Sequence, residues 1–292
     1  MASPSQVPAR FPSGVSTDNT WGPLAMFGQP NPFMYHTVCD DFDGASTAAG
    51  VAGQASDELW TVYTTAASGG TVVPSNALTG GNGEGGQWLF TTGVASTNIE
   101  SIELAKGSFI LPPAASTGLA FASKKLFFMT RINVTTIATT SWTVGLVNPS
   151  ATPILQPTDG LYLSSTNATN MALYAYSGST QTWKVAIPAA VLSAYYANAT
   201  WIDVGFYMDR LQNVYAMVGF PLFGWQPASA WSGTNNVNAA PVPKAAIASY
   251  QVQVSGAWTP TTALLTPAII VAAGSAAAAT LYADFILASK ER

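Results

Sequence analysis

From Cys39 onward the chain is cut into short apolar runs by clusters of Gly, Pro, Asn and Ser. The runs fall at residues 59–64, 87–92, 99–104, 119–122, 126–134, 142–147, 160–163, 171–176, 183–187, 201–209, 213–220, 249–254, 268–273 and 279–288. Many are β-branched or aromatic, and they recur about every 8–15 residues, the cadence of strands joined by turns. No alternation of strand and helix patterns interrupts them. The cadence therefore predicts an all-β, antiparallel sandwich rather than alternating α/β units.

Two hairpins are legible locally. Residues 201–208 and 213–218 flank a four-residue connection, Asp209-Arg210-Leu211-Gln212, and residues 171–176 and 183–187 flank Ser177-Gly178-Ser179-Thr180. The one helical turn expected is 188–196, with Pro188 at its start and Leu192, Tyr195 and Tyr196 at helical spacing. Residues 245–283 carry no charge, which raises the question of a membrane span. Pro267 and Gly274-Ser275 interrupt the run, and its alanines are weakly apolar, so two strands folded near Gly274-Ser275 are expected instead. In the second, Leu281, Ala283, Phe285 and Leu287 alternate with Tyr282, Asp284, Ile286 and Ala288.

Residues 1–37 differ in texture. Prolines 4, 8, 12, 23, 30 and 32, with Gly14, Gly22 and Gly28, forbid long helix or central strand. Phe11, Trp21, Leu24, Met26, Phe27 and Phe33 are nevertheless spread through the segment, which a plain linker does not need. The expectation is an extended arm, followed by one sandwich domain over 38–292. The arm's apolar anchors suit docking on a partner, or packing back on its own domain. The arm has no apolar core of the kind a secretory leader needs, so export by that route is not expected. The sequons at Asn133, Asn167 and Asn198 then read as chance matches.

Composition narrows function mainly by exclusion. Charged residues are 8% of the chain and the net charge is −4, with no clustered Lys and Arg, so no nucleic-acid partner is expected. One Cys and one His exclude an internal disulfide and any multi-Cys or multi-His metal site. His36 and Cys39 lie three apart in an extended segment and would face opposite sides. Glu100 and Glu103 on one strand do the same, which argues against a facing carboxylate pair for glycoside hydrolysis. Asp40-Asp41-Phe42-Asp43-Gly44 has the acids and glycine that a hard cation takes. The twelve-residue loop pattern is absent, and the alternative is a strand edge with solvated acids around a buried Phe42. Residues 80–86 (GGNGEGG) lack the Lys-Ser/Thr of a phosphate loop. No catalytic residue, cofactor or metal ligand is assigned.

Longer strings carry a resemblance. KLFFMTRI at 125–132, DGLYL at 159–163, ALYAY at 172–176, WIDVGFYMD at 201–209 and the ending TLYADFILASKER resemble a concanavalin-A-like or jelly-roll sandwich. The DDFDG opening and the KER ending are similar to those of capsid decoration (cement) proteins of tailed bacteriophages. The resemblance implies a non-catalytic virion protein, made in the host cytoplasm and seated on the outer capsid surface. There it would clamp neighbouring major capsid protein subunits as a dimer or trimer, without membrane or cofactor. The low charge fits, because a neutral interface avoids desolvating charges and is little affected by salt. The alternative is a glycan-binding, lectin-like module on the virion surface. Trp225 and Trp231 in the long 220–244 loop, with Asn235, Asn236 and Asn238, would supply stacking and hydrogen bonds, or a subunit contact.

Overall fold

The computed structural model describes residues 35–40, 42, 55–56, 60–64, 69–75, 86–95, 98–104, 109–110, 126–150, 152–166, 169–208, 213–219, 251–253, 264–274 and 277–291. Seventeen strands and one helix occur among them. The strands are β1 (Tyr35–Asp40), β2 (Ala55–Ser56), β3 (Trp60–Thr64), β4 (Thr71–Ser75), β5 (Gln87–Thr91), β6 (Ile99–Leu104), β7 (Phe109–Ile110), β8 (Leu126–Val134) and β9 (Thr140–Val147). They continue with β10 (Gly160–Ser165), β11 (Met171–Ser177), β12 (Thr180–Ala186), β13 (Trp201–Met208), β14 (Asn213–Gly219), β15 (Gln251–Gln253), β16 (Leu264–Ala273) and β17 (Thr280–Glu291). The helix, α1, is Ala189–Tyr195.

The strands form two antiparallel sheets. The first runs β15-β14-β13-β8-β17-β5-β4, with β1 on β17. The second runs β12-β11-β10-β9-β16-β6-β3-β2, with β7 on β16. This is the all-β antiparallel sandwich that the strand cadence predicts, with the jelly-roll-like character that the resemblance implies. Its core lies between the sheets, where Trp60, Trp88, Trp142, Phe90, Phe128 and Phe206 are fully buried. Phe128 and Phe206, cross-strand partners on β8 and β13, stack at 5.4 Å. Each such side chain contributes about 1.5–3 kcal/mol by leaving water.

The hairpin β13–β14 closes across residues 209–212 as expected, with Met208 opposite Val214. The β11–β12 hairpin is tighter than its sequence suggests. Ser177 pairs with Thr180, leaving a two-residue turn in which Gly178 and Ser179 have φ of 55° and 67°. A turn with both central residues at positive φ matches the right-handed twist of its strands. Helix α1 starts after Pro188 and buries Leu192, while Tyr196 just beyond it accepts a 2.8 Å hydrogen bond from the Trp142 indole.

The two C-terminal strands belong to different sheets, so the chain crosses the sandwich between them. Gly274 N–H bonds the Thr139 carbonyl at 2.7 Å, and Thr92 N–H bonds the Ala279 carbonyl at 2.9 Å. The strict alternation expected along β17 also fails. The register against β8 shifts between Ala283 and Phe285, so Leu281 and Ala283 enter the core and then Ile286 and Ala288 do. Asp284 is the extra residue of a bulge, which re-aims the side chains around it.

β1 begins at Tyr35, so three residues that composition places in the arm are sheet residues. β1, β2, β4 and β7 escape the sequence reading, being short or interrupted, as by Pro74 in β4. The expected strand at 119–122 and the glycine-rich stretch at 80–85 lie outside the described residues.

Candidate functional site

The residues that sequence singles out for partner contact, Phe11, Trp21, Leu24, Met26, Phe27 and Phe33, lie outside the described residues. So do Trp225, Trp231, Asn235, Asn236 and Asn238. What is described is where the arm's root is held. β1 pairs with β17 over six positions, from Tyr35 opposite Glu291 to Asp40 opposite Ile286, and Thr37 and Ser289 hydroxyls meet at 2.9 Å. His36 is exposed on this strand and Cys39 is half-buried.

The acidic opening that invites a cation is partly accounted for. Asp40 is not a solvated acid. Its Oδ1 accepts from the Phe42 backbone N–H at 2.8 Å, and its Oδ2 accepts from the Trp60 indole N–H. Phe42, at φ 62°, is buried as expected and meets Trp60 and Trp88 edge-on at 5.7 and 6.4 Å. Asp40 thus pins an aromatic plug between the two sheets. Asp41 and Asp43 lie outside the described residues, among which no group of three or more possible metal ligands occurs.

On the outer face of the first sheet, Arg131 of β8 donates through Nε to Asp203 Oδ1 of β13 at 2.6 Å and through one terminal nitrogen to Asp203 Oδ2 at 3.2 Å. A second terminal nitrogen lies 3.4 Å from Asp284, and the guanidinium sits 5.3 Å from the centre of the Phe285 ring. The β17 bulge brings both of these residues to one arginine. Burial works against the Arg131 charge, but Asp203 and Asp284 outweigh it and raise its pKa further. The arrangement is satisfied, and it reads as structural.

The outer face of the second sheet differs. Tyr162, Tyr174 and Tyr176 form a ring cluster with centroids 5.8–6.3 Å apart. The Lys184 ammonium sits 5.2 Å from the centre of the Tyr174 ring. Beside them, the chain between β9 and β10 folds back over the sheet. Thr143 donates to the Leu155 carbonyl at 2.5 Å and Tyr162 to the Pro157 carbonyl at 3.3 Å.

Between this loop and β6, β9 and β16 is a pocket of about 180 Å³, lined by Glu103, Val147, Asn148, Ser150, Ile154 and Ile270 among others. Glu103 is 3% exposed. Its Oε2 accepts from the Ser150 N–H at 3.1 Å, and Oε1 is buried without a hydrogen-bond partner. Burial pushes this carboxyl up to about 7, the Ser150 N–H offsetting part of the rise. At the rim, Ile154 is 44% exposed. Such a site can accept a hydrogen bond or meet a positive charge. Among the described residues no second carboxylate lines it, because Glu100 faces the other side of β6, as the odd spacing predicts. Sequence placed Glu103 on a strand face, but it gave no sign that a loop some 45 residues later would roof that face.

No family model matches the chain, and no curated protein matches its sequence. Several solved structures are similar in backbone. A protein of unknown function from Shewanella oneidensis MR-1 aligns at a TM-score of 0.49 and 13% identity, covering 88% of this chain and 87% of that one. The carbohydrate recognition domain of Emp47p aligns at 0.45 and 9% identity, covering 89% and 98%. Arcelin-5, a lectin-like defence protein from Phaseolus vulgaris, aligns at 0.44 and 8% identity, covering 89% and 100%. At such values the likeness carries no argument about function, and the fold assignment rests on the strand pairing itself.

Proposed function

We propose that the chain is a non-catalytic structural protein of a tailed-phage virion. It sits on the outer capsid surface and stabilises contacts between major capsid protein subunits, as a homo-oligomer. The observation that carries this reading is the β1–β17 pairing. It holds residues 35–40, directly after the Pro-rich segment that carries Trp21 and Phe27 in sequence, on the sheet. The scarcity of charge supports it, since neutral surfaces dock without desolvating ions. The resemblance of the DDFDG and KER strings to decoration proteins points the same way.

Glycan binding is the rival. It rests on Trp225 and Trp231, and none of the described residues lining the Glu103 pocket is an aromatic wall for a sugar.

Deleting residues 1–34, which leaves β1 intact, is expected to abolish binding to expanded capsids while the sandwich stays folded by circular dichroism. Undiminished capsid binding by the truncated chain would overturn the arm's role. Retention of the full chain on a glycan array, lost in Trp225→Ala or Trp231→Ala, would favour the lectin reading.

A further inference from the structure

Three features of the Glu103 pocket go together. A carboxyl is held nearly out of water with one oxygen unpartnered. The space beside it holds a slim group rather than a large one. Its outer lining is mixed, with Pro153 and the exposed Ile154 beside the exposed Thr152. A buried acceptor without a partner is costly to the free protein, so a ligand that supplies the missing donor recovers that cost. A cation recovers more than a neutral hydroxyl does, because charge-assisted hydrogen bonds are the stronger kind. The carboxylate is already desolvated, so binding adds only the cation's own desolvation.

We infer that this pocket receives an alkyl cation, the ammonium or guanidinium head of a lysine or arginine on a partner protein, with the alkyl stem against Ile154 and Pro153 and the head displacing the covering loop to reach Glu103 Oε1, which is shielded in the free chain. A long side chain that buries its stem and delivers its head to a polar group is the ordinary behaviour of lysine and arginine. The pocket lies on the opposite sheet from β1, so it is a contact additional to the arm, and its ligand does not depend on the capsid reading.

Among the groups facing Glu103, β9 and β16 contribute no ionisable side chain, and neither do the described residues of the loop from 148 to 158. β3 contributes Tyr63, whose hydroxyl is pushed up by burial and by the charge of Glu103, so it remains neutral and offers no countercharge. Glu103 therefore governs the pH response. A cation binds the carboxylate form, so affinity falls as pH drops below 7, by up to about tenfold per unit.

The test titrates the full chain with Nα-acetyl-lysine methylamide, Nα-acetyl-arginine methylamide, putrescine, norleucine amide acetylated at its amine, and methyl glucoside. The readouts are the Ser150 amide resonance and the Glu103 carboxyl resonance across pH. The lysine or arginine probe is expected to shift both at concentrations on the order of 10 mM and to lower the Glu103 pKa, with the neutral norleucine probe silent. Glu103→Gln should lose the response. Ile154→Ser, at an exposed rim position, should weaken it several-fold without unfolding the chain. Silence of both cationic amino-acid probes, a response to methyl glucoside instead, or an unchanged response in Glu103→Gln would each overturn the inference. A preference of tenfold or more for putrescine would overturn the protein source of the cation.

Discussion

The Ser150 backbone N–H donates to Glu103 Oε2 at 3.1 Å across 47 residues of sequence and is the one described hydrogen bond to that carboxyl. It ties the loop after β9 to the outer face of β6, and it leaves the other carboxylate oxygen buried and unmatched. That imbalance sets the first prediction. A carboxyl raised from 4.5 to about 7 by folding binds more protons folded than unfolded between those values. Its favourable contribution is therefore complete below the unfolded value and lost as pH rises through about 7. Chemical denaturation of the wild type should show stability declining over this window, by no more than about 3 kcal/mol. Glu103→Gln should flatten the decline. An unchanged slope in that variant would place its origin elsewhere.

Arg131 supplies the second prediction. The Asp203 side chain is 0% exposed and its charge is answered by the Arg131 fork. Arg131→Met removes the countercharge of that buried carboxylate and should cost about 3–5 kcal/mol in urea or guanidinium unfolding. Arg131→Lys keeps the charge but not the two-point geometry, and it should fall between. The double change Arg131→Met with Asp203→Leu should recover most of the loss. If the double variant is no better than the single one, the cost lies in packing against Phe285 rather than in the unpaired charge.

The β11–β12 turn yields a prediction of opposite sign. Ser179 holds φ at 67°, which a residue with a Cβ adopts at a cost, while its backbone N–H bonds the Thr158 carbonyl at 2.8 Å. Ser179→Gly keeps that bond and removes the strain. It should raise stability by up to about 1 kcal/mol, less what glycine's extra freedom in the unfolded chain removes. A loss of stability would mean that the Ser179 side chain contributes more than the strain costs.

Much of the fold was readable because period and punctuation agreed. β6 and β8 fall on their expected bounds, and the β13–β14 hairpin follows from two apolar runs around 209–212. The failures have physical causes. The bulge at Asp284 breaks the period of two in β17, and nothing in alternation alone shows where an extra residue enters. The first half of β1, residues 35–37, reads as arm because its composition is mixed, and its strand character comes from pairing with a partner more than 240 residues away. For the same reason Asp40 looked like a solvated acid, when the Trp60 indole and the Phe42 amide claim both its oxygens. The side of β6 on which Glu103 lies was legible from spacing, whereas the pocket over it depends on a long-range loop contact that no local pattern encodes.

The proposed place of the chain on a virus particle can be checked by its amount in purified particles. Virions banded by density and analysed by quantitative mass spectrometry should contain it at a fixed ratio to the major capsid protein, retained through high-salt washing because a chain with 8% charged residues has few ion pairs to lose. Its absence from washed particles, or a ratio that varies from one preparation to the next, would overturn the capsid role.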